Sequence, residues 1–383
     1  MKIIIRRILI FCRNILSLFC KYKEYSVVKR IRIIFDYLKL YRLKGLTVDE
    51  YYEFEFEKRS QVFRDDFLGW EEQGYYLRIL NPVKYYTLAR NKYLSHLCLE
   101  EVGVPMPKLL AYYNKYCKEA KLQFGCDLLK LKAENKVPFV IRATEASHGE
   151  GVFFVVDVFK ENDEVCFSLA NGEKVLLNDF LECKEELIVE SVIKQTEQIS
   201  RFNSSSINTI RFMTTLFPNG EAEIIATFIK IGRAGKSVDN AGDGGNVDVC
   251  IDVETGELKH AIQYDGWRKI TEIDKHPDSG AHLNGVVIEN WNEIKSAVIK
   301  FQEKLPFVKA AGWDIAITDN GPIVIEVNDS WDRIGQYFIR RGWKNEIKEC
   351  FNAWVNVEYD PKVERFINNK SVKYLDKLKK KYK

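Results

Sequence analysis

Segment 312–328, GWDIAITDNGPIVIEVN, constrains the fold more than any other part of the sequence. Its two arms alternate between apolar and other residues with a period of two, and residues 319–321 supply an Asp-Asn-Gly turn, so the segment predicts a tight β-hairpin. A three-residue loop places Asp314 directly opposite Glu326, with Asn328 one step further along. The hairpin is therefore expected to bring acidic side chains together on stiff strands.

The same register fixes the other pairs of the predicted hairpin. Thr318 lies opposite Pro322, and Val324 shares the face of Glu326 and Asn328. The opposite face is apolar, and its predicted contacts are those of Ile315 with Ile325 and of Ile317 with Ile323. An apolar face of this kind is suited to packing inside the protein.

Two carboxylates that face each other on neighbouring strands repel. At a separation of about 5 Å and an effective dielectric near 20, the repulsion is roughly 3 kcal/mol. A cation between them would remove this cost, and Asp314, Glu326 and the amide oxygen of Asn328 are hard oxygen ligands suited to Mg²⁺ or Mn²⁺. The alternative interpretation is a solvated polar face that holds no ion.

Length and composition limit the classes of protein that the chain can belong to. At 383 residues it exceeds the usual limit for one hydrophobic core, so two or three packed units are expected. Nine cysteines are scattered without a CxxC pair, which favours reduced thiols over a disulfide framework or a zinc site. The five histidines are also dispersed, which argues against a histidine-rich metal site.

The net charge of +3 is spread unevenly, because residues 1–44 are strongly basic. The apolar run ILIFCRNILSLF within them is too short and too polar for a spanning helix. A basic amphipathic helix that lies on an anionic membrane or binds a partner fits the pattern, and a helix packed on the protein's own body is the alternative. Nucleic acid is not expected as a partner, since no aromatic stacking platform accompanies the basic residues.

Helix and strand patterns both occur along the chain. Residues 1–60 and the last forty residues favour helices, and Thr47 with Glu50 forms a capping-box pattern. Further helices are predicted at 84–102 and 289–305. The strands predicted before the hairpin are 138–141, 152–156, 187–190, 209–213, 222–231 and 247–253.

Two glycine-containing loops interrupt these strands. In loop 142–151, RATEASHGEG, small residues allow backbone N–H groups to form an anion-binding nest, and Arg142 at its start is placed to pair with phosphate. A plain hairpin connection is the alternative for this loop. Loop 232–247, GRAGKSVDNAGDGGNV, is long for a compact domain, and loops of this length are usually functional or disordered.

Charged residues within the strands indicate a polar cleft. Segment 187–198, LIVESVIKQTEQ, combines an apolar strand with glutamates. Backbone groups at the edge of this strand would bind an adenine, and a carboxylate further along would bind the ribose hydroxyls. The alternative is an edge strand whose glutamates are solvated. Arg211 and Lys230 lie in strand patterns, where a charge must pair or face a cleft. With Arg142 they would form a cationic set opposite the carboxylates, as phosphoryl chemistry requires.

Taken in order, these segments resemble the ATP-grasp superfamily, and more closely the sugar-transfer-associated ATP-grasp family of polysaccharide and capsule biosynthesis. The resemblance runs from about residue 75 to residue 340. The segments that carry it are NKYLSHLCLEEVGVPMPK, FVIRATEASHGEGV, IVESVIKQTEQ, SINTIRFMT, IKIGRAG with VDNAGDGGNVDVCIDVETGEL, and GWDIAITDNGPIVIEVNDSWD. No single segment is specific to the family, but their order is.

The resemblance implies ATP and Mg²⁺ (or Mn²⁺) as ligands and assigns residues to each. The implied metal ligands are Asp314, Glu326 and Asn328. The implied nucleotide-binding residues are Lys92, Arg142, His148, Gly149, Gly151, Glu190, Val192, Glu197 and Lys230. In this assignment Lys92 is the first phosphate-binding lysine, and the hinge at 190–197 holds the adenine and the ribose.

Three positions depart from the family pattern. Arg142 stands where lysine is usual, which keeps the charge and allows binding of phosphate through two nitrogens. Glu150 lies in the phosphate loop, where it would repel phosphate, so we expect it to point outward. Gly312 stands where amino-acid ligases of the superfamily carry an arginine, two positions before the first metal ligand. We therefore expect Arg211 or Arg233 to act as the catalytic cation.

The resemblance also implies the architecture, an ATP-grasp fold in which two α+β lobes hold ATP between their sheets. A basic helical N-terminal segment is expected at 1–60 and a basic helical tail at 341–383. The ATP-grasp region between them, 61–340, would divide into a lid at about 135–195 and a metal-binding lobe at about 196–340.

The implied function is ATP-dependent carboxylate–amine ligation through an acyl phosphate. A glycan-linked carboxylate such as a uronic acid, and an amino acid or amine, are the implied substrates. A kinase of a sugar or polyol hydroxyl and a non-catalytic nucleotide-binding scaffold of a glycan assembly are the alternatives. We expect a cytoplasmic protein with peripheral contact to the inner face of the membrane, or to a glycosyltransferase, through residues 1–44.

Overall fold

The structure, a computed structural model, describes residues 2–145, 151–235, 245–266 and 268–358. Over these residues it combines helices with two antiparallel sheets, which confirms the predicted α+β class. The predicted helical tail is described only as far as residue 358. Residues 146–150 of loop 142–151 and residues 236–244 of the long glycine-rich loop lie outside the described residues.

Helices dominate the first hundred residues and recur between the strands. The first group is α1 (Lys2–Lys21), α2 (Val27–Lys44), α3 (Val48–Glu53), α4 (Gln61–Asp66), α5 (Trp70–Leu80), α6 (Thr87–Arg90) and α7 (Lys92–Glu101). The later helices are α8 (Ala120–Ala133), α9 (Leu177–Glu182), α10 (Glu197–Ser200), α11 (Trp291–Glu303), α12 (Gly335–Phe338) and α13 (Lys344–Glu358). Short 3₁₀ helices occur at Phe56–Lys58 and Val83–Tyr85.

The first helices pack around a core of their own. At the start of α3 the Thr47 side chain accepts a hydrogen bond from the Glu50 N–H, and the Glu50 carboxylate accepts one from the Thr47 N–H, so the predicted capping box is confirmed. The largest fully buried side chains of this core are Tyr22, Tyr37, Tyr51, Phe54, Phe56 and Phe67. Across the described residues, no helix combines the length and the apolar character that crossing a membrane requires.

The strands form one six-stranded and one seven-stranded sheet. The first contains β1 (Leu109–Asn114), β2 (Phe139–Ala143), β3 (Val152–Glu161), β4 (Glu164–Leu169), β5 (Lys174–Leu176) and β6 (Glu186–Ser191), in the order β1-β6-β2-β3-β4-β5. The second contains β7 (Ile210–Leu216), β8 (Ala222–Ile231), β9 (Val247–Ile251), β10 (Leu258–Tyr264), β11 (Ile270–Glu272), β12 (Ala310–Thr318) and β13 (Gly321–Asn328), in the order β11-β10-β9-β8-β7-β12-β13.

Helices cover the sheets and bury their apolar faces. The six-stranded sheet packs against α8 and α9. The seven-stranded sheet has a core on each face, one with α11 and the other with α5 and α13. Every residue of β12 is buried, which explains why this strand is rich in apolar residues on both faces. A charged side chain in such a strand has to find a partner inside the protein.

The predicted hairpin forms from β12 and β13, and Asp314 pairs with Glu326 as expected. The path to this pair differs from the prediction, because Thr318 pairs with Gly321 and the loop therefore has two residues instead of three. A bulge between Asp314 and Ile315 then shifts the register by one residue. The two differences cancel at the acidic pair.

Between the turn and the bulge the predicted pairs are wrong. Val324 pairs with Ile315 and belongs to the apolar core, so it does not share the face of Glu326. The observed partners of Ala316 and Ile317 are Ile323 and Pro322, which replace the predicted contacts of Ile315 with Ile325 and of Ile317 with Ile323. Loop length was the source of the error, because an Asp-Asn-Gly turn suits loops of either two or three residues.

The continuous helix predicted at 84–102 is wrong. A 3₁₀ helix, α6 and α7 replace it, and Asn91 lies between the last two with an extended backbone (φ −104°, ψ 109°). The Asn91 Oδ1 atom accepts a hydrogen bond from the Leu94 N–H at 3.0 Å and so caps α7. Lys92 is therefore the first residue of a helix, where its backbone can contact other elements.

The remaining predicted elements, α11 and strands β2, β3, β6, β7, β8 and β9, form within a few residues of their predicted bounds. Strands β1, β4, β5, β10 and β11 were not predicted, and two of them have only three residues, too few to show a period of two. All nine cysteines are free thiols, as expected.

Candidate functional site

Arg142 lies between the two sheets. It belongs to β2 of the six-stranded sheet, and its Nη2 atom lies 3.3 Å from Glu326 Oε2 on β13 of the seven-stranded sheet. Its Nη1 atom donates to Glu190 Oε2 and to the carbonyl oxygen of Ile325, each at 3.2 Å. Ile325 is the extra residue at the bulge, so the irregularity that aligns the acidic pair also provides a carbonyl for Arg142.

Lys92 approaches the same carboxylate from α7. Its Nζ atom lies 3.7 Å from Glu326 Oε2, and its side chain is largely buried. Burial lowers the pKa of Lys92, and the neighbouring Glu326 carboxylate opposes this effect. The Lys92 N–H donates to the Thr144 carbonyl at 2.9 Å, which joins the start of α7 to the chain that follows Arg142. Two cations from separate elements therefore meet at one carboxylate.

Asp314 forms a separate ion cluster within the seven-stranded sheet. Arg211 on β7 is its register partner and donates from Nε and Nη2 to its two oxygens at 2.6 and 2.9 Å. Lys230 on β8 places Nζ 3.0 Å from Asp314 Oδ1. Burial alone would raise the pKa of Asp314, but the charges of Arg211 and Lys230 outweigh burial and hold that pKa well below its usual range.

Gly312 makes room for the Arg211 side chain. A Cβ atom at position 312 would lie 3.4 Å from Arg211 Nη1 and 3.6 Å from Arg211 Cδ. The guanidinium beside Asp314 thus comes from the neighbouring strand and lies over the glycine. Arg211 and Arg233 were both predicted as candidates for the cation beside Asp314. Arg211 lies there, whereas Arg233 pairs with Asp278 through two contacts of 2.7 Å.

The predicted hinge residues lie in different surroundings. Glu190 is buried on β6, and its carboxylate pairs with Arg142, so the structure brings it into the cluster around Glu326. Val192 follows the end of β6 and is partly exposed, and Glu197 begins α10 with an exposed side chain. The assignment of these three residues to adenine and ribose stays a prediction.

The described ends of loop 142–151, which was predicted to bind phosphate, are held together. Gly151 has a φ of +72°, a conformation that favours glycine, and its carbonyl accepts a hydrogen bond from the Ala143 N–H at 3.0 Å. His148 and Gly149, predicted to bind nucleotide, lie outside the described residues. The same holds for Glu150, whose predicted outward orientation stays untested.

Glu186 is a connecting residue that was not predicted. Its Oε2 atom accepts hydrogen bonds from Thr144 Oγ1 at 2.7 Å and from Asn91 Nδ2 at 2.9 Å, and Tyr112 donates to Oε1. Burial would raise the pKa of Glu186, but these hydrogen bonds outweigh it and lower the pKa. The Glu186 carboxylate therefore holds Asn91, which precedes Lys92, and Thr144, which lies two positions after Arg142. A single acidic residue at the start of a strand gave no signal of this role.

A second connection that was not predicted joins α6 to the end of the hairpin. Arg90 Nε and Nη2 donate to the two carboxylate oxygens of Asp329 at 2.9 and 2.8 Å. Asn81 Nδ2 donates to the Asp329 carbonyl at 2.6 Å. Sequence position could have indicated this pair, because Arg90 lies two residues before Lys92 and Asp329 directly follows Asn328, and both neighbours were predicted site residues.

The hairpin carries donor atoms that fit a divalent cation. Asn328 Nδ2 donates to the Gly312 carbonyl at 3.4 Å, which leaves the amide oxygen as the ligand atom. Both Asp314 oxygens accept from Arg211, yet a carboxylate oxygen can accept more than one contact. Among the described residues, no three His, Cys, Asp or Glu side chains group as a metal site. The fitting set is therefore two carboxylates and one amide, a set that substrate phosphates would complete.

Comparison with known families gives one match. The family model described as sugar-transfer associated ATP-grasp matches residues 71–349, which is more than half of the chain. The matched range includes both ion clusters, Glu186 and the Arg90–Asp329 pair. Among curated protein sequences, none matches this chain.

Several solved structures resemble the chain distantly. N5-carboxyaminoimidazole ribonucleotide synthetase from Thermotoga maritima has 14% identity and a TM-score of 0.40, covering 73% of this chain and 53% of its own. D-alanine–D-alanine ligase from Bacillus anthracis, complexed with ATP, has 15% identity and a TM-score of 0.37, covering 70% and 68%. Biotin carboxylase from Campylobacter jejuni has 10% identity and a TM-score of 0.41, covering 72% and 48%. The chain thus spans about half the length of the first of these.

Proposed function

Because the chain belongs to the sugar-transfer associated ATP-grasp family, we propose that it is an ATP- and Mg²⁺-dependent carboxylate–amine ligase. Its acceptor would be a glycan-linked carboxylate such as a uronic acid, and its nucleophile an amino acid or another amine. The reaction would belong to polysaccharide or capsule biosynthesis. The proposal of a glycan-linked acceptor is based on the family description, and the proposal of phosphoryl transfer from ATP is based on the two ion clusters.

The observation that best supports the proposal is the convergence of Arg142 and Lys92 on Glu326. The two cations come from the six-stranded sheet and α7, whereas the carboxylate belongs to the metal-binding hairpin. A triphosphate that enters between them would take over both cations as partners. Glu326 would then be released to a metal ion, so the nucleotide and the metal would be bound together.

The proposed reaction has two steps. In the first, a carboxylate oxygen of the acceptor attacks the γ-phosphorus of ATP, the bond from that phosphorus to the β,γ-bridging oxygen breaks, and ADP leaves. In the second, the amine nitrogen attacks the acyl carbon, the bond from carbon to the phosphate oxygen breaks, and inorganic phosphate and a proton leave. Lys92 and Arg142 would hold the β- and γ-phosphates, and Arg211 and Lys230 would stabilise the charge on the transferring group.

Glu326 and Asn328 would hold Mg²⁺ or Mn²⁺ together with Asp314. The ion would neutralise phosphate charge and polarise the γ-phosphate. Asp314 has a further role in the proposal, because it fixes the direction of Arg211 and Lys230 before substrates bind. The adenine would lie along the hinge near Val192, and Glu197 would bind the ribose hydroxyls.

The proposed location is cytoplasmic, with the basic segment 1–44 in contact with the inner face of a membrane or with a glycosyltransferase. A lipid-anchored glycan acceptor would make such a location useful, since it concentrates enzyme and acceptor at one surface. We include the domain division in the proposal, with a helical N-terminal segment at 1–60, a lid at about 135–195 and a metal-binding lobe at about 196–340.

Release of ADP tests the proposal directly. Purified protein would be incubated with ATP, Mg²⁺, a panel of uronic acids and a panel of amino acids, with Glu326→Gln as the inactive control. The expected result is ADP release that needs both a carboxylate and an amine, and a product whose mass is that of the two joined with loss of water. Release without dependence on either substrate class would contradict the proposal.

The same products separate the ligase from its alternatives. A kinase would give a stable phosphate ester with a sugar or polyol and no need for an amine. A nucleotide-binding scaffold would bind ATP without turnover, and Glu326→Gln would then leave the output of the glycan assembly unchanged. Mass spectrometry of the product therefore decides between the two enzymes, and the variant decides between enzyme and scaffold.

A further inference from the structure

The outer face of α2 carries apolar and basic side chains together. Val28, Ile31 and Phe35 recur at helical spacing and are exposed, and 68% of the surface of Phe35 is open to solvent. Exposed basic residues lie on the same side of the helix, and they are Arg32, Lys39 and Arg42. We refer to these six residues as the basic–apolar face. Large apolar side chains this exposed indicate a surface that contacts something else.

Helix α1 adds exposed apolar surface next to α2. Its second half is anchored, because Leu18 and the following Tyr22 are buried in the N-terminal core. Leu9 and Leu16 lie seven positions apart on another side of the helix and are 64% and 65% exposed. The ring of Phe11 lies 6.1 Å from that of Tyr41, and the Arg30 guanidinium lies 5.0 Å from the ring of Phe19, so the two helices contact each other near both ends of α2.

The charges of this region are almost all positive. From residue 9 to residue 44, nine lysines and arginines accompany two acidic residues, Glu24 and Asp36. Asp36 is already paired, because Arg64 Nη2 contacts both of its oxygens at 2.6 Å and the Tyr51 hydroxyl donates to it at 2.7 Å. The basic–apolar face therefore presents positive charge without compensating acidic neighbours on the same helix.

We propose that the basic–apolar face binds an anionic lipid surface, with Val28, Ile31 and Phe35 entering the headgroup region. Basic side chains that alternate with apolar ones along one helical face suit this occupant, because the cations contact lipid phosphates while the apolar groups leave water. A second copy of the chain would bring like charges together across a symmetric interface. The inference does not rest on the proposed reaction, and it selects the membrane over a glycosyltransferase as the partner of α2.

Vesicle co-sedimentation of the full chain tests the inference. The probes are vesicles of phosphatidylcholine alone and vesicles with about one third phosphatidylglycerol. Sedimentation is expected only with the anionic vesicles, and it should weaken as salt is raised to about 1 M, where the Debye length is about 3 Å. Substitution of Arg32, Lys39 and Arg42 by Gln should weaken binding about 100-fold, since each basic residue near the surface contributes roughly fivefold.

An apolar variant and matched controls complete the test. The variant Val28→Ser, Ile31→Ser, Phe35→Ser should also lose sedimentation, with circular dichroism unchanged because the side chains are exposed. The charge control replaces the exposed Lys118, Lys121 and Lys130 by Gln, and the apolar control replaces the exposed Val62, Leu122 and Val287 by Ser. Both controls should sediment like the original chain.

Three results would overturn the inference. The first is no sedimentation with anionic vesicles at low salt. The second is sedimentation that both face variants retain. The third is dimerisation, measured by light scattering without lipid, that the face variants abolish, because this would make a second copy the occupant.

Discussion

The two ion clusters of the site differ in tightness and in what they connect. Asp314 contacts its cations at 2.6–3.0 Å, and all three residues belong to neighbouring strands of one sheet. Glu326 contacts its cations at 3.3 and 3.7 Å, and these come from the other sheet and from α7. The Asp314 side chain is 10% exposed, whereas that of Glu326 is 29% exposed.

This difference separates a fixed charge from an exchangeable one. Strand register places Arg211 and Lys230 beside Asp314. The first cluster, that of Asp314, is therefore set by the same hydrogen bonds that form the sheet. The second cluster depends on how closely two sheets approach each other, and a ligand between them can take its cations. We therefore expect loss of Asp314 to affect folding and loss of Glu326 to affect catalysis.

Asp314→Asn should have the largest effect on stability. The substitution keeps the shape of the side chain but removes the carboxylate charge that Arg211 and Lys230 contact inside the sheet, and breaking a buried ion pair costs about 3–5 kcal/mol. The free energy of unfolding in urea measures the loss. The control is Asp252→Asn beside the same sheet, which keeps the oxygen that accepts from the Glu254 and Thr255 N–H groups and removes only the partly exposed ion pair with Lys259, so it should cost about 1 kcal/mol or less.

The contribution of Asp314 to the free energy of unfolding depends on pH, and the sign of this dependence follows from its pKa. Because the folded pKa of Asp314 lies below its unfolded value, its contribution is present above the unfolded carboxyl pKa and is lost as pH falls through the folded pKa. Asp314→Asn should therefore lower stability at neutral pH and make it less sensitive to acid. If Asp314→Asn and Asp252→Asn lost the same free energy of unfolding, the Asp314 cluster would stabilise the fold no more than a partly exposed ion pair does.

Glu326→Gln should separate catalysis from stability. The free energy of unfolding should change by about 1 kcal/mol or less, because the carboxylate is partly exposed and its contacts are long. ATP turnover that depends on Mg²⁺ should fall about 100-fold or more, since the proposal makes Glu326 a metal ligand. Glu254→Gln, which removes an exposed carboxylate elsewhere, should leave both quantities unchanged. A large loss of stability in Glu326→Gln would show that the second cluster is as fixed as the first.

Glu186→Gln tests whether the cations of the second cluster are positioned in advance. Loss of the charge that holds Thr144 and Asn91 should raise the KM for ATP about tenfold, with a smaller change in kcat, because a hydrogen bond to a charged group contributes about 1.5–3 kcal/mol. Tyr112→Phe removes one donor from the other oxygen and should raise the KM less. An unchanged KM in Glu186→Gln would reduce Glu186 to a structural residue of the six-stranded sheet.

The first cluster was the easier of the two to predict from sequence. Period-two patterns identify β7, β8 and β12, and because β7 lies between the other two strands in the sheet, antiparallel pairing brings Arg211, Lys230 and Asp314 together. The acidic pair Asp314–Glu326 was also predicted, although for a partly wrong reason, since a shorter turn and a bulge compensated each other. Local patterns define pairs within a sheet but do not reveal bulges, which depend on packing against neighbouring elements.

The second cluster could be predicted only in part. Sequence predicted Arg142, Lys92 and Glu326 as site residues, but nothing local indicates that Arg142 pairs with Glu190 or that Glu186 holds both Asn91 and Thr144. These contacts join residues far apart in the chain, and their geometry follows from the docking of two sheets. The break at Asn91 was missed because apolar spacing continues across it, while the extended backbone of Asn91 separates α6 from α7 and its side chain caps the start of α7.

Nucleotide affinity should fall at alkaline pH through Lys92. Burial lowers the pKa of this lysine, so its charge is lost at a lower pH than that of an exposed lysine, and a neutral amine cannot pair with phosphate. The dissociation constant for ATP, measured by calorimetry from neutral pH upward, should therefore rise before the ordinary lysine pKa is reached. Lys92→Arg should move this rise to higher pH. An identical pH profile in the two proteins would place another group at the phosphates.

Gly312→Ala should have the smallest effect, since the added Cβ atom would meet Arg211 at 3.4 Å, an ordinary contact distance. Stability should change by less than about 1 kcal/mol, and turnover should fall little. Gly312→Val fills the space of the guanidinium and should push Arg211 off Asp314, so its loss of turnover should match that of Arg211→Ala. The double variant Gly312→Val, Arg211→Ala should then lose no more than either single variant, because both act on one contact. Additive losses would mean that the glycine serves the hairpin itself, and that the first cluster does not depend on the space it leaves.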